Sequence, residues 1–338
     1  MKMKTGYVFK LLPVAALIIL LNSCSKDTSN PLTGTNTPPP DDTTTVPTGV
    51  VTNVTYGSAV DWKGQSEQLK LDVYMPTAGR TTKKPLIVFI HGGGFLDGDK
   101  SSAASFAKLM NDKGFIVAPI DYRLGWSKNE NNPCNSDTLG AFEAYYRALQ
   151  DTRAAIRFLV AHASDYGIDT NWIFIGGSSA GGVTSLSIPY YTDANVAATF
   201  SSSIISKLGP LDTDNNLKNT FKIKAVIAMW GAIENPNIIT AANAVPTIFF
   251  HGTQDDVVPY NVSHFYTCDN FQVSYGAKPL YDRLTGFGVP AVAHIEPGGG
   301  HGVYTEEFRV DNSACFLESI MNNTPETGYY IGEQSSCK

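Results

Sequence analysis

From Pro85 to Met321 the chain repeats one alternation. A short, unbroken apolar run stops at a turn, and a longer stretch with apolar residues three and four apart follows. "PLIVFI" (85–90), "FIVAPI" (115–120), "WIFIG" (172–176), "KAVIAMWG" (224–231), "VPTIFFHG" (245–252) and "PAVAHIE" (290–296) are the runs. Apolar and β-branched throughout, they predict strands buried on both faces. "LKLDVYMP" (69–76) alternates polar and apolar residues instead and predicts an edge strand. Helical spacing occupies 101–114, where Ala104, Phe106, Leu109 and Met110 share a side and Gly114 is the stop. It returns over 138–167, with Tyr145, Leu149, Ile156 and Leu159 on the apolar face, and in a closing helix over 304–321. Strands alternating with helices predict an α/β fold, a mainly parallel sheet covered on both faces. Ligands of such a sheet bind beyond the carboxyl ends of its strands.

The first fifty residues break this pattern. Lys2 and Lys4 precede a short apolar core, Leu11 to Leu21, and "LNSC" follows. The run is too short for an ordinary membrane span and predicts a signal peptide over residues 1–23. Its end resembles a bacterial lipobox, which implies cleavage before Cys24 and lipidation of that thiol. The expectation is an exported bacterial lipoprotein, anchored at the outer membrane or the cell surface; the alternative is a plain secretory signal with an incidental cysteine. Residues 24–51 are rich in Ser, Thr, Pro, Asp and Gly and predict a disordered tether, leaving 52–338 as the folded domain.

Composition narrows the function. Of 338 residues 43% are hydrophobic, enough for a sizeable core, and a net charge of −6 gives no support to nucleic-acid binding. No paired Cys-x-x-Cys, zinc spacing or internal repeat occurs, so no metal or cofactor is expected. Beyond Cys24 the cysteines are Cys134, Cys268, Cys315 and Cys337. An even number in an exported chain predicts two disulfides. Three pairings are open, with Cys315–Cys337 preferred because it would staple the C-terminal tail.

The turns after the strands carry the chemistry. "HGGGF" follows Ile90, "GGSSAGG" follows Ile175, "HGTQDDVVP" follows Phe250 and "PGGGHGVY" follows Glu296. Gly177-Ser178-Ser179-Ala180-Gly181 fits G-x-S-x-G, the sharp strand-to-helix turn that projects its central serine. Ser179 is the candidate nucleophile, and Ser178 reads as a packing residue. The rival use of the glycines, a phosphate loop, lacks its lysine. A serine needs a base, and His301 is the best of six histidines. His91 and His251 read as turn-holding residues, His162 and His294 as packing or surface residues, and His264 as a minor rival. The base needs an orienting carboxylate, for which Asp255 is preferred over Asp256. The amides of Gly93, Gly94 and Ala180 are the candidate oxyanion donors.

With "LDVYMP", "PLIVFIHGGGFLDGDK", "GFIVAPIDYRL", "HGTQDDVVP" and "GGGHG" added, the chain resembles the α/β-hydrolase esterases of the carboxylesterase and hormone-sensitive-lipase-like group. It looks nearest the branch with bacterial feruloyl and acetyl-xylan esterases. The resemblance covers about residues 69–305. It implies the α/β-hydrolase fold, with Ser179 as nucleophile, Asp255 as orienting acid and His301 as base. It also implies a small-molecule or polysaccharide-linked ester as substrate. The acid that relatives carry before the nucleophile is absent here. Three segments fall outside the motifs, around 126–137, 201–220 and 260–278, and are expected to cover the site. Trp126, Trp230 and Tyr304 are candidate pocket aromatics. Two other readings stay open: a serine peptidase of the same fold, and a non-catalytic surface module.

Overall fold

The computed structural model describes residues 47–77 and 82–337. The signal peptide over 1–23, the lipidation site Cys24 and most of the tether over 24–51 lie outside the described residues. The described strands are β1 (Gly49–Val60), β2 (Ser66–Met75), β3 (Lys84–Ile90), β4 (Ile116–Ile120), β5 (Ile168–Ser178), β6 (Ile223–Met229), β7 (Thr247–Gly252), β8 (Val262–His264), β9 (Val273–Tyr275), β10 (Ala291–Glu296) and β11 (Gly328–Ile331). The helices are α1 (Ala104–Asp112), α2 (Thr138–Ala161), α3 (Ala163–Tyr166), α4 (Ala180–Ser187), α5 (Asp193–Thr199), α6 (Ser202–Leu208), α7 (Ala277–Gly286) and α8 (Glu306–Met321).

Nine strands form one sheet in the order β1-β2-β4-β3-β5-β6-β7-β10-β11. From β4 to β11 all neighbours are parallel, while β2 is antiparallel to both β1 and β4. This is the α/β-hydrolase fold. The unbroken apolar runs are explained by burial on both faces. In β3, Leu86, Val88 and Ile90 face the core under α2, α4 and α7, and Ile87 and Phe89 face the core under α1 and α8. The same split recurs in β6, where Val226 and Ala228 oppose Ala225, Ile227 and Met229.

Three expectations are corrected. β2 is not an edge strand, because β1 pairs outside it. β1 begins at Gly49, so 49–51 are strand rather than tether. Its side chains are mostly exposed, and this hid it from a reading based on apolar runs. The helix expected over 138–167 breaks at His162, the cap of α2, and α3 ends on Gly167 in the left-handed region. Asp137 starts α2 by accepting the N–H of Gly140 at 3.0 Å.

The segment 201–220 does not cover the site. It is pinned along α2 by charge pairs: Arg123 to both Asp151 (2.7 Å) and Asp214 (2.9 Å), and Arg157 to Asp212 at 2.6 Å. The disulfides are Cys134–Cys268 and Cys315–Cys337. The second fastens the tail, where Asn312 Oδ1 also accepts the N–H of Ser336 at 2.7 Å.

Candidate active site

β5 ends at Ser178 and α4 begins at Ala180, so the chain turns on one residue. Ser179 has φ 54° and ψ −120°, a strained conformation for a side-chain-bearing residue, costing roughly 1–3 kcal/mol. The turn is held by Ser179 N–H donating to Met229 O (3.0 Å) and Val183 N–H donating to Ser179 O (2.9 Å). It closes because Gly181 has no side chain: a Cβ there would fall on the Ile90 carbonyl. The local sequence thus forces the Ser179 hydroxyl outward.

The acid and histidine turns lean on each other. Gln254 N–H donates to Gly299 O at 2.9 Å, and Gly298 N–H donates to Thr253 Oγ1 at 2.8 Å. His301 Nδ1 therefore meets Asp255 Oδ2 at 2.8 Å, and His301 Nε2 meets Ser179 Oγ at 2.8 Å. With a carboxylate on Nδ1, that nitrogen carries the proton, and Nε2 is free to accept the serine proton. Asp255 Oδ1 also accepts the N–H groups of Val257 and Val258, each at 2.9 Å. Burial by itself would raise the Asp255 pKa. Hydrogen bonds from His251 and His301, the His301 charge and the Val258 amide outweigh it and hold the carboxyl well below the usual carboxylate range. Asp256 is exposed and makes none of these contacts.

After β3 the "HGGGF" turn bends under the site. Gly93 has φ +110°, and a Cβ there would fall on the Asp97 carbonyl, so only glycine fits. Its own carbonyl accepts from Leu96 (3.0 Å) and Asp97 (3.1 Å). The N–H groups of Gly93, Gly94 and Ala180 donate to no group among the described residues. His91 supports the turn, with Nδ1–H donating to Gly92 O at 2.6 Å and its ring stacked on Tyr122 at 4.4 Å.

Beside Ser179 lies an apolar pocket of about 40 Å³, walled by Phe95, Trp126, Phe142, Val183, Phe265 and Phe271 among others. Segment 126–137 contributes Trp126 to this wall and segment 260–278 contributes Phe265, Tyr266 and Phe271, and the two segments are joined by Cys134–Cys268. Trp126 is fixed by donating its indole N–H to Gly94 O at 2.8 Å. Trp230 and Tyr304 do not line the pocket. Trp230 sits edge-on to His301, with ring centres 6.2 Å apart, and Tyr304 stacks on Phe308 at 4.8 Å.

The other histidines are elsewhere. His264 Nδ1–H donates to Phe271 O at 2.6 Å, His162 pairs with Asp165 at the surface, and His294 is buried between Phe250 and Tyr330. His251 holds its turn as expected, with Nε2 donating to Val258 O at 3.0 Å. Sequence reasoning missed that the same nitrogen reaches Asp255 Oδ2 at 3.2 Å, and it missed a second contributor. Tyr266 places its hydroxyl over the Gly94 turn, 3.3 Å from where a Cβ would stand. The only signal for Tyr266 was the aromatic content of "FYTCDNF". Among the described residues no cluster of His, Cys, Asp or Glu could hold a metal ion, and no helix is long and apolar enough to cross a membrane.

Comparison with known proteins agrees with this architecture. The BD-FAE family model matches residues 71–235. A probable isoprenylcysteine alpha-carbonyl methylesterase of Arabidopsis thaliana is 26% identical over 226 residues, 59% of this chain and 44% of that protein. The chain spans about half the length of the curated relatives it matches. A truncated carbohydrate esterase from gut microbiota superposes with a TM-score of 0.55 at 20% identity, covering 81% of this chain and 97% of that one. Thermogutta terrifontis esterase 2 gives 0.53 at 17% identity, covering 83% and 96%.

Proposed function

We propose that this chain, an α/β-hydrolase-fold protein matching the BD-FAE family over residues 71–235, is a serine carboxylic-ester hydrolase. The observation that carries the reading is the unbroken hydrogen-bonded line from Ser179 Oγ through His301 to Asp255. As Ser179 Oγ bonds to the ester carbon, its proton passes to His301 Nε2. Asp255 holds the imidazole in the required tautomer and balances the imidazolium. The carbonyl oxygen becomes an oxyanion and takes the N–H groups of Gly93, Gly94 and Ala180, which have no other partner among the described residues. The ester C–O bond breaks, and His301 returns its proton to the leaving alkoxy oxygen. Water then repeats the sequence on the acyl-enzyme, releasing the acid and restoring Ser179.

The substrates we assign are acetyl or feruloyl esters on extracellular polysaccharides. A carbohydrate esterase among the structural neighbours supports this class. The small acyl pocket argues for the acetyl group of the two. The lipobox-like sequence supports an exported protein anchored through Cys24. A Cys24→Ala chain that leaves the membrane fraction agrees with that anchor; one that stays there refutes it.

The deciding experiment is hydrolysis of p-nitrophenyl acetate by the protein and by Ser179→Ala. The expected result is a loss of roughly 10⁴-fold or more in kcat. Equal rates would overturn the proposal.

A further inference from the structure

The link between β8 and β9 is held in a backbone shape that its residues disfavour. Tyr266 has φ 56° and ψ 18°, and Thr267 has φ 56°. Among the described residues they are the only adjacent pair of side-chain-bearing residues in the left-handed region. Threonine, branched at Cβ, resists that region strongly. Anchors on both sides enforce the shape. Tyr266 N–H donates to Val257 O at 2.9 Å, and Val257 N–H in turn donates to Asp255 Oδ1 at 2.9 Å. On the other side Cys268 is bonded to Cys134. Backbone strain that the surroundings over-determine points to a group being held in place for use.

The group held here is the Tyr266 side chain. It lines the same pocket as Ser179, Gly94 and Ala180. Its ring is fixed by Phe271, with ring centres 5.7 Å apart, and by Lys128 Nζ, 5.3 Å from its centre. The hydroxyl stands over Gly94, 3.3 Å from where a Cβ would be.

That hydroxyl is unused within the protein. Tyr266 makes its hydrogen bonds through its backbone N–H and carbonyl, and the hydroxyl has no partner among the described residues. The Gly94 carbonyl below it is taken by the Trp126 indole. Burial raises the Tyr266 pKa and Glu130 adds to the rise, so the hydroxyl keeps its proton at neutral pH and remains a donor. A donor without an acceptor therefore stands beside the oxyanion loop.

The reaction supplies the acceptor. When Ser179 Oγ bonds to the ester carbon, the carbonyl π pair moves onto the carbonyl oxygen and the serine proton goes to His301 Nε2. The new negative charge lies against the Gly94 and Ala180 amides, in the pocket that Tyr266 shares. His301, which serves the leaving alkoxy oxygen, does not line that pocket. We infer that the Tyr266 hydroxyl is a further oxyanion donor, a catalytic side chain acting beside the backbone N–H groups of Gly93, Gly94 and Ala180. It donates a hydrogen bond and keeps its proton, and the bond loosens when the oxyanion returns to a carbonyl and the C–O bond to the alcohol breaks. This inference rests on the esterase reading given above.

The test separates the hydroxyl from the ring. Tyr266→Phe keeps the pocket wall and removes only the donor. Hydrolysis of p-nitrophenyl acetate is measured for the wild type, Tyr266→Phe and Ser179→Ala, with active serines counted by stoichiometric phosphorylation with paraoxon so that misfolded protein does not enter the rates. Inhibition by trifluoroacetone is measured beside it, since Ser179 adds to that ketone and stops at a tetrahedral oxyanion. Tyr266→Phe is expected to lower kcat about 10- to 100-fold with KM little changed, as loss of a hydrogen bond to a charged group does. The inhibition constant of trifluoroacetone should rise by a similar factor, because the lost contact is to the oxyanion. An unchanged kcat in Tyr266→Phe would overturn the inference and leave Tyr266 as pocket wall alone. A lower kcat with unchanged trifluoroacetone affinity would also overturn it, because the loss would then lie away from the oxyanion. Hydrolysis that persists in Ser179→Ala would instead remove the esterase reading, and this inference with it.

Discussion

His251 Nε2 lies 3.2 Å from Asp255 Oδ2, so two imidazoles, His251 and His301, meet one buried carboxylate. His251 is the penultimate residue of β7 and Asp255 sits in the turn that follows, so the strand itself aims the acid. Val258 O at 3.0 Å is the second partner of the same nitrogen.

Removing that support weakens the acid without touching Ser179 or His301. His251→Ala is expected to lower kcat about tenfold, the effect of losing one hydrogen bond to a charged group. The Asp255 carboxyl is held low partly by His251, so its pKa rises in the variant. The fall in kcat should appear near neutral pH with KM little changed, and His251→Asn, which keeps a side-chain donor, should regain part of it. An unchanged kcat in His251→Ala would contradict this role.

In the proposed reaction the apolar pocket beside Ser179 receives the acyl group. Its volume of about 40 Å³ has room for roughly three water-sized groups. Among p-nitrophenyl esters, acetate and propionate should be the best substrates, with kcat/KM falling at least about tenfold by octanoate. Phe271→Ala opens the wall and should move the optimum to longer chains. A wild-type preference for octanoate would contradict the pocket assignment.

The Cys134–Cys268 disulfide ties together the two segments that wall this pocket, across a sequence separation of 134 residues. The double variant Cys134→Ser/Cys268→Ser should lose about 2–4 kcal/mol of stability. It should also raise KM more than it lowers kcat, because Trp126 and Phe271 lose their common anchor while Ser179, His301 and Asp255 keep theirs. Urea unfolding and steady-state kinetics on one preparation check both parts.

A buried carboxyl tilts stability with pH. Burial pushes Glu234 from the ordinary 4.5 to about 8, only partly offset by its own backbone N–H and by Tyr145 and Tyr191. The folded state then binds the proton more tightly than the unfolded one. Its stabilising contribution is complete below about 4.5 and is lost as pH rises through about 8. Glu234→Gln should flatten the decline of Tm between those values. His294 acts in the opposite sense: burial lowers its pKa to about 4, so stability is lost as pH falls from about 6.5 through 4. An unchanged Tm profile in Glu234→Gln would sink this account.

The central strands and the reactive turns were legible because both are local signals. β3 to β7 and β10 are apolar on both faces, and each reactive turn carries its own short motif. β1 was not legible: "GVVTNVTYGSAV" is largely solvated and lacks a strong period. β8 and β9 are three residues each, too short for any pattern. Pairing of Cys134 with Cys268 depends on how two distant insertions meet, which residue spacing does not encode. The contact of His251 with Asp255, and the position of Tyr266 above Gly94, exist only once those turns have closed. Segment 201–220 was misplaced because its charge partners, Arg123, Arg153 and Arg157, lie elsewhere in the chain.

The sheet is also a partition. Ile87 and Phe89 pack with one core and Val88 and Ile90 with the other, so a change of volume on one side meets the sheet before it meets the far side. Phe142 and Arg309 stand on opposite sides of that wall. Substitutions so separated tend to combine additively. Evolution, or a designer, can therefore repack the core under α2, α4 and α7 while the core under α1 and α8 stays as it was.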